Sequence, residues 1–203
     1  MKAEDVFLSK IVLAGDSAVG KTSICHRYLG RGFTVNHDIT LGAEYFCHDQ
    51  PVHLQEQELR IRFQVWDMSG QERFTGIRNL YYPGTRGLVI VYDVTRPGTF
   101  HGVANWIAEL VDNLGTGFPP VVIAGNKIDL REKNSMTVQK AEGEKLAREI
   151  RQALGASVAF VETSALTGEN VQLLFQYLAR LVTVQTNRLL APDGVSARST
   201  SNQ

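Results

Sequence analysis

Nine consecutive residues, Gly15-Asp16-Ser17-Ala18-Val19-Gly20-Lys21-Thr22-Ser23, constrain this chain more than any other feature. They fit the pattern G-x-x-x-x-G-K-[ST], a loop that cradles phosphate groups. Such a loop needs a strand before it and a helix after it. Lys10-Ile11-Val12-Leu13-Ala14 reads as the end of a short apolar strand, and Thr22 to Leu29 as the opening of a helix. In that setting several backbone N–H groups face one anion, and the positive end of the helix dipole adds to them. Gly15 and Gly20 supply conformations and a close approach that a Cβ would obstruct. Lys21 reaches the β- and γ-phosphates as a point charge, and the Thr22 hydroxyl is placed to ligate Mg²⁺. A chain of this length carries the pattern by chance about once in 100, and the strand–helix setting lowers that further. The motif implies a nucleoside triphosphate.

The rest of the chain repeats the strand–helix alternation of βαβ units, which predicts an α/β fold with a mainly parallel sheet. Ile11–Ala14, Gly87–Tyr92 and Val121–Gly125 are nearly continuous apolar runs, suited to central strands covered on both faces. Ser157–Val161 reads as a strand near the sheet edge. Leu59–Trp66 alternates with period 2, which predicts an antiparallel pairing at an edge, with Ala43–His48 as partner. The polar connection from Asp49 to Glu58 is longer than a tight hairpin needs. Helices are expected at Lys21–Leu29, Thr99–Leu114, Val138–Leu154 and Asn170–Arg188, with Thr99 and Thr167 at helix starts and Gly115 at a stop. Val171, Leu174, Phe175, Leu178 and Val182 form a packing stripe on the last helix. One domain over residues 1–186 and a flexible tail over 187–203 are expected, with the chain turning polar and apolar-poor from Ala191 onward.

Charge excludes more than it indicates. Lys plus Arg and Asp plus Glu both number 21, which leaves no electrostatic footprint for nucleic acid or an anionic membrane. No apolar run approaches the length of a membrane span, and no secretory leader stands at the N-terminus. Cys25 and Cys47 match no metal or redox motif, so reduced thiols in the cytoplasm are expected. The scattered histidines do not predict a metal cluster.

Three further motifs specify base and reaction. Asp67-Met68-Ser69-Gly70-Gln71-Glu72 follows the alternating strand directly. An aspartate there holds Mg²⁺, usually through water; Gly70 brings its N–H against the γ-phosphate, and Gln71 orients the attacking water. Asn126-Lys127-Ile128-Asp129 follows the strand Val121–Gly125. Its carboxylate, Asp129, can accept from both N1–H and the 2-amino group of guanine, a match adenine does not offer. Asn126 donates to the purine edge or ties loops together, and the Lys127 stem lies over the base. Thr163-Ser164-Ala165-Leu166 supplies backbone N–H groups for the guanine O6. All of these stand at the carboxyl ends of strands, where α/β sheets bind ligands.

With these elements the chain resembles a Ras-superfamily small GTPase, most closely the Rab branch, over residues from about 6 to 186. The resemblance also rests on Trp66-Asp67, Gly70-Gln71-Glu72-Arg73-Phe74, Tyr81-Tyr82 and Ile90-Val91-Tyr92-Asp93-Val94-Thr95. It implies a phosphate-loop NTPase fold: three layers, six strands, one of them an antiparallel edge. It makes Thr40, in Asp38-Ile39-Thr40-Leu41-Gly42, the threonine of the first switch that meets Mg²⁺ only when GTP is bound, and Phe33 the aromatic against the guanine edge. The metal ligands are then Thr22, Thr40 and Asp67, and the catalytic set Lys21, Thr40 and Gln71. The implied function is a monomeric, GTP-hydrolysing switch of vesicle trafficking, served by an exchange factor, a GAP and effectors that meet the switch segments. Phe46, Trp66 and Phe74 are candidates for that partner surface, or for plain core and edge packing.

Several residues depart from the Rab pattern. Met68 and Ser69 stand between Asp67 and Gly70 where an alanine-containing string is usual. His37 replaces a bulky aromatic over the phosphates, and Pro83 replaces an arginine. Ser17 beside the γ-phosphate fits Rab-like hydrolysis, in which a GAP contributes its own glutamine as well as an arginine. No cysteine follows Cys47, whereas Rab-like proteins are anchored by prenylated C-terminal cysteines. A truncated chain, a soluble relative and recruitment to endomembranes through a partner all stay open. So do two other functions: a nucleotide-bound scaffold with negligible hydrolysis, and a small-molecule kinase that prefers ATP.

Overall fold

A computed structural model describes residues 6–33, 40–54, 57–115 and 117–190. Six strands form one sheet: β1 (Val6–Ala14), β2 (Ala43–Leu54), β3 (Gln57–Met68), β4 (Thr85–Asp93), β5 (Val121–Asn126) and β6 (Val158–Thr163). Their order is β2-β3-β1-β4-β5-β6, and every pairing is parallel except β2 with β3. Helices α1 (Lys21–Tyr28), α2 (Thr75–Arg78), α3 (Pro97–Leu114), α4 (Lys140–Leu154) and α5 (Val171–Leu190) cover both faces.

The apolar runs dictate this layering. In β4 and β5 every residue but Arg86 is buried, as strands sandwiched between helices require. Along β1, Ile11 and Leu13 face a core shared with Ile24 of α1 and Phe175 and Leu178 of α5. Val12 and Ala14 face the opposite core, shared with Val103 and Leu110 of α3 and Ala147 of α4. The stripe predicted on α5 is wholly buried.

Three sequence expectations change. The antiparallel edge is β2 itself, while the alternating strand β3 lies one place inward, between β2 and β1. Asp49–Glu58 is mostly not loop: the ladder stays in register out to Leu54 opposite Gln57. Alternation persists there, with Gln50 and Val52 buried and Asp49 paired to Arg62 at 2.6 Å, and Pro51 is tolerated because β2 is an edge. Helix starts also shift. α3 begins at Pro97, whose ring suits a first turn, and Thr99 inside that turn accepts the Asp93 N–H at 3.0 Å. α4 begins at Lys140 after a capping box of Gln139 and Glu142. α5 runs to Leu190, past the boundary expected at residue 186; residues 191–203 of the expected tail, and His37 of the first switch, lie outside the described residues. Among the described residues no helix is long and apolar enough to cross a membrane.

Candidate functional site

The carboxyl ends of β1, β3, β5 and β6 open into a cavity of about 490 Å³. Ser17, Ala18, Gly20, Lys21, Thr22, Ser23, Phe33, Thr40, Gly70, Gln71, Asn126, Lys127, Asp129, Ala165 and Leu166, all singled out from sequence, line it. So do Met68 and Ser69, noted above as departures from the Rab pattern, and Leu130, which no motif of the sequence singles out. Gly15, Asp16, Val19 and Ser164 stand behind the wall. Val19 is core, and the Asp16 carboxylate turns away to accept the Trp106 indole N–H at 2.8 Å.

The phosphate loop needs its glycines for space as well as conformation. Gly15 sits at φ +135°, and a Cβ there would meet the Val91 carbonyl oxygen at 2.2 Å. Gly20 sits at φ +100°, where a Cβ would strike the Asn126 amide nitrogen at 2.3 Å. Lys21, 6 % exposed, caps the Gly15 and Asp16 carbonyls at 2.7 and 2.8 Å. Burial lowers its pKa to about 8, against the pull of the nearby Asp67 and Asp16 carboxylates. An anion placed between Lys21 and the helix terminus would reverse that penalty.

At the other wall the Thr22 hydroxyl is a meeting point. It donates to Asp67 Oδ2 at 2.5 Å and lies 3.2 Å from the Thr40 hydroxyl. The second oxygen of Asp67, Oδ1, is buried without a partner. Burial pushes the carboxyl up to about 6, resisted by the Thr22 hydrogen bond and the Lys21 charge. A buried carboxylate with an orphaned oxygen, flanked by two hydroxyls, is a donor set of hard oxygens that suits Mg²⁺ completed by phosphate oxygens and water. Ser69 N–H donates to the Gly42 carbonyl at 2.8 Å and so joins the segment after Thr40 to the segment after Asp67. A Cβ on Gly70 would lie 2.4 Å from the Asp16 carbonyl carbon, so this backbone rests directly on the phosphate loop.

The far wall is built by β5 and β6, whose register sets Asn126 opposite Thr163. Asn126 donates to the Val19 carbonyl at 2.8 Å and accepts from the Thr163 hydroxyl and the Ala165 N–H, each at 3.1 Å. It therefore ties loops together, one of the two roles read from sequence. Lys127, at φ +70°, donates to the Ala18 carbonyl and pairs with Asp93, both at 2.8 Å. Asp129 accepts the Ser164 hydroxyl at 2.5 Å. The Ala165 N–H is engaged by Asn126 and the Ser164 N–H by the Glu169 carbonyl at 3.1 Å. Those two backbone donors, expected to serve a guanine oxygen, are held within the protein.

The partner-surface expectation divides. Phe46 is core, 5 % exposed, so packing explains it. Trp66 and Phe74 are half-buried. Trp66 lies edge-on to Tyr45 at 5.2 Å and beside Tyr81 at 5.5 Å, with Lys10 over its ring at 4.8 Å. Sequence reasoning missed Arg27, Arg78 and Glu109. Arg27 reaches the carbonyls of Ala165 and Leu166, and Arg78 pairs with Glu109 31 residues further on, so no local spacing reveals these contacts.

This geometry defines a phosphate-loop nucleotide-binding domain with a base pocket at β5 and β6. The Ras family matches over residues 10–184, and the chain belongs to that family, as a Rab-like small GTPase. It is 37% identical over 198 residues to the Ras-related protein RABA5b of Arabidopsis thaliana, covering 97% of this chain and 85% of that protein. Identity to the Ras-related protein Rab-13 of Rattus norvegicus is 36% over 179 residues, 88% of this chain and 82% of the relative. Identity to the Ras-related protein Rab2BV of Beta vulgaris is 34% over 192 residues, 94% and 84% of the two chains. Guanine-nucleotide binding follows from that membership.

Proposed function

We propose that the chain is a GTP-hydrolysing switch acting in vesicle and membrane trafficking through effectors, as a monomer of the cytoplasm brought to endomembranes by partners. The observation that carries the switch is the Thr22 hydroxyl, within hydrogen-bonding reach of both Thr40 and Asp67. One side chain of the phosphate loop thus touches both segments that must respond to the γ-phosphate. The trafficking role rests on likeness to Rab proteins.

Asp129 takes the guanine edge and Phe33 packs against it, while Asn126 and Lys127 hold the loops that frame the pocket. Lys21 and the loop N–H groups neutralise charge on the transferring phosphoryl, and Gln71 orients the attacking water. Thr22, Thr40 and Asp67 would hold Mg²⁺, which when bound neutralises charge on the β- and γ-phosphate oxygens. Among the described residues no arginine lines the cavity, so intrinsic turnover is expected at ~10⁻⁴ to 10⁻³ per second. A GAP adding ~10⁵-fold would lower the barrier by roughly 7 kcal/mol.

Single-turnover GTP hydrolysis by wild type and Gln71→Leu tests the reading. The expected result is slow wild-type turnover, reduced about 10-fold or more by the substitution. A wild type that binds GTP without turnover makes the chain a nucleotide-bound scaffold, and ATP binding as tight as GTP makes it a kinase-like domain.

A further inference from the structure

Arg78 ends α2, in the segment that follows Gln71, and it is 5 % exposed. Its guanidinium makes a fork with Glu109 of α3, Nε to Oε1 at 2.9 Å and Nη2 to Oε2 at 2.7 Å. Nη2 also donates to the Thr75 hydroxyl at 2.9 Å, and Nη1 donates to the Gln71 carbonyl at 3.1 Å. The group lies over the Trp106 ring at 4.4 Å, and the Trp106 N–H is bound to Asp16 of the phosphate loop. Glu109 accepts a further hydrogen bond from the Tyr82 hydroxyl at 2.6 Å.

An exposed arginine on a switch segment would be free to sweep solvent. This one is fixed on one side by a bidentate ion pair and covered on the other by an indole, with four hydrogen bonds made by the guanidinium. The fixed end belongs to α3 and the phosphate loop, both part of the rigid scaffold. The end it holds is the backbone of Gln71, whose side chain lines the nucleotide cavity.

We infer that Arg78 is a positioning residue for hydrolysis: braced by Glu109 and Trp106, it pins the Gln71 carbonyl and so sets where the Gln71 side chain can hold water. The inference rests on the assignment of Gln71 made above. An arginine is needed because one planar group must serve Glu109 and Gln71 at once, which a lysine ammonium at the same site does not. Displacing a water-orienting group by about 1 Å costs on the order of 10²-fold in rate, whereas Arg78, Glu109 and Trp106 do not line the nucleotide cavity.

The test is single-turnover GTP hydrolysis together with the GDP dissociation constant, for Arg78→Ala and Arg78→Lys, each in the wild-type and Gln71→Ala backgrounds. The expected result is a fall in hydrolysis of about 10- to 100-fold for Arg78→Ala in the wild-type background. GDP affinity should stay within about threefold, and no further fall should appear once Gln71 is alanine. If Arg78→Ala does not load nucleotide, Arg78→Lys carries the same expectation. Wild-type hydrolysis in a loaded Arg78 variant overturns the brace alone, provided Gln71→Ala is impaired. Equal falls in both backgrounds overturn it too, because Arg78 would then act on the domain rather than on Gln71. Wild-type hydrolysis by Gln71→Ala removes the underlying assignment and the brace with it.

Discussion

The two ends of the nucleotide cavity are built differently. At the end formed by β5 and β6, each polar side chain that faces the cavity is tied to the scaffold behind it. Asn126 makes three hydrogen bonds, Lys127 an ion pair and a hydrogen bond, and Asp129 accepts from Ser164. At the end formed by Thr40, Asp67 and Gln71, Asp67 closes β3, while Thr40 and Gln71 stand outside the strands and α-helices, with Gln71 held from behind by Arg78. Thr22 meets Thr40 at 3.2 Å, and the Gln71 N–H lies 3.5 Å from the Ser69 hydroxyl, a marginal distance for a hydrogen bond. A rigid base pocket beside a lightly fastened phosphate wall is the arrangement a switch needs. On the proposed function, the base would be read by the tied groups and the γ-phosphate by the segments that must respond to it.

The largest effect expected from this contrast is at the rigid end. Asp129→Ala removes the acceptor proposed to pair with two guanine N–H groups and takes away the acceptor of the Ser164 hydroxyl. Hydrogen bonds to charged groups contribute about 1.5–3 kcal/mol each, so GDP should bind roughly 10²- to 10⁴-fold more weakly. Titration with a fluorescent GDP analogue measures it. A change below threefold would break the comparison, because the base would then be held by something other than the β5 loop.

Next in size is a change at the movable end. A Cβ at Gly70 would fall 2.5 Å from the Gly15 carbonyl oxygen and 2.4 Å from the Asp16 carbonyl carbon, both backbone atoms that cannot swing aside. Gly70→Ala should therefore hold the second switch off the phosphate loop. Overpacking of this kind costs about 1–3 kcal/mol, which predicts single-turnover hydrolysis down by roughly 5- to 150-fold. GDP affinity should stay within about threefold, since GDP lacks the phosphate that this segment is proposed to read. Equal losses for GDP binding and hydrolysis would mean the two ends are not separable.

The same contrast governs what could be read from the sequence. The phosphate loop, Asp67, Gln71 and Asn126–Asp129 are legible because backbone geometry forces chemistry-bearing residues into short strings at strand ends. The layers were legible for a related reason: runs such as Leu88–Tyr92 and Val121–Ala124 are buried on both faces and so lose their polar alternation. The hairpin departs from the expectation because Asp49, Gln50 and Pro51 have turn-like composition, while their pairing with β3 depends on partners 9 to 13 positions away. Arg78 and Glu109 are invisible in the sequence, since an arginine in a polar segment and a glutamate on an amphipathic helix are ordinary surface residues until the fold buries the arginine against the half-buried glutamate. Local order was written locally; the brace was not.

The smallest expected effect concerns the link between the two ends. Arg27 of α1 donates through Nε to the Ala165 carbonyl at 3.0 Å and through Nη2 to the Leu166 carbonyl. The helix that begins at Lys21 thereby holds the loop that walls the base pocket. Both acceptors are backbone carbonyls, and Asn126 and Ser164 hold the same loop from the other side. Losing two such bonds at a half-buried group costs about 1–2 kcal/mol of loop order at most, part of it recovered by water. Arg27→Ala should then speed GDP release by roughly 3- to 10-fold, followed by displacement of a fluorescent GDP analogue. Single-turnover hydrolysis of GTP already bound should be unchanged, because Arg27 touches neither Gln71 nor Thr40. Faster release with unaltered hydrolysis would place Arg27 with the rigid end. A matching fall in hydrolysis would instead show strain passing through α1 from the base pocket to Lys21 and Thr22, and the two ends would have to be treated as one mechanical unit.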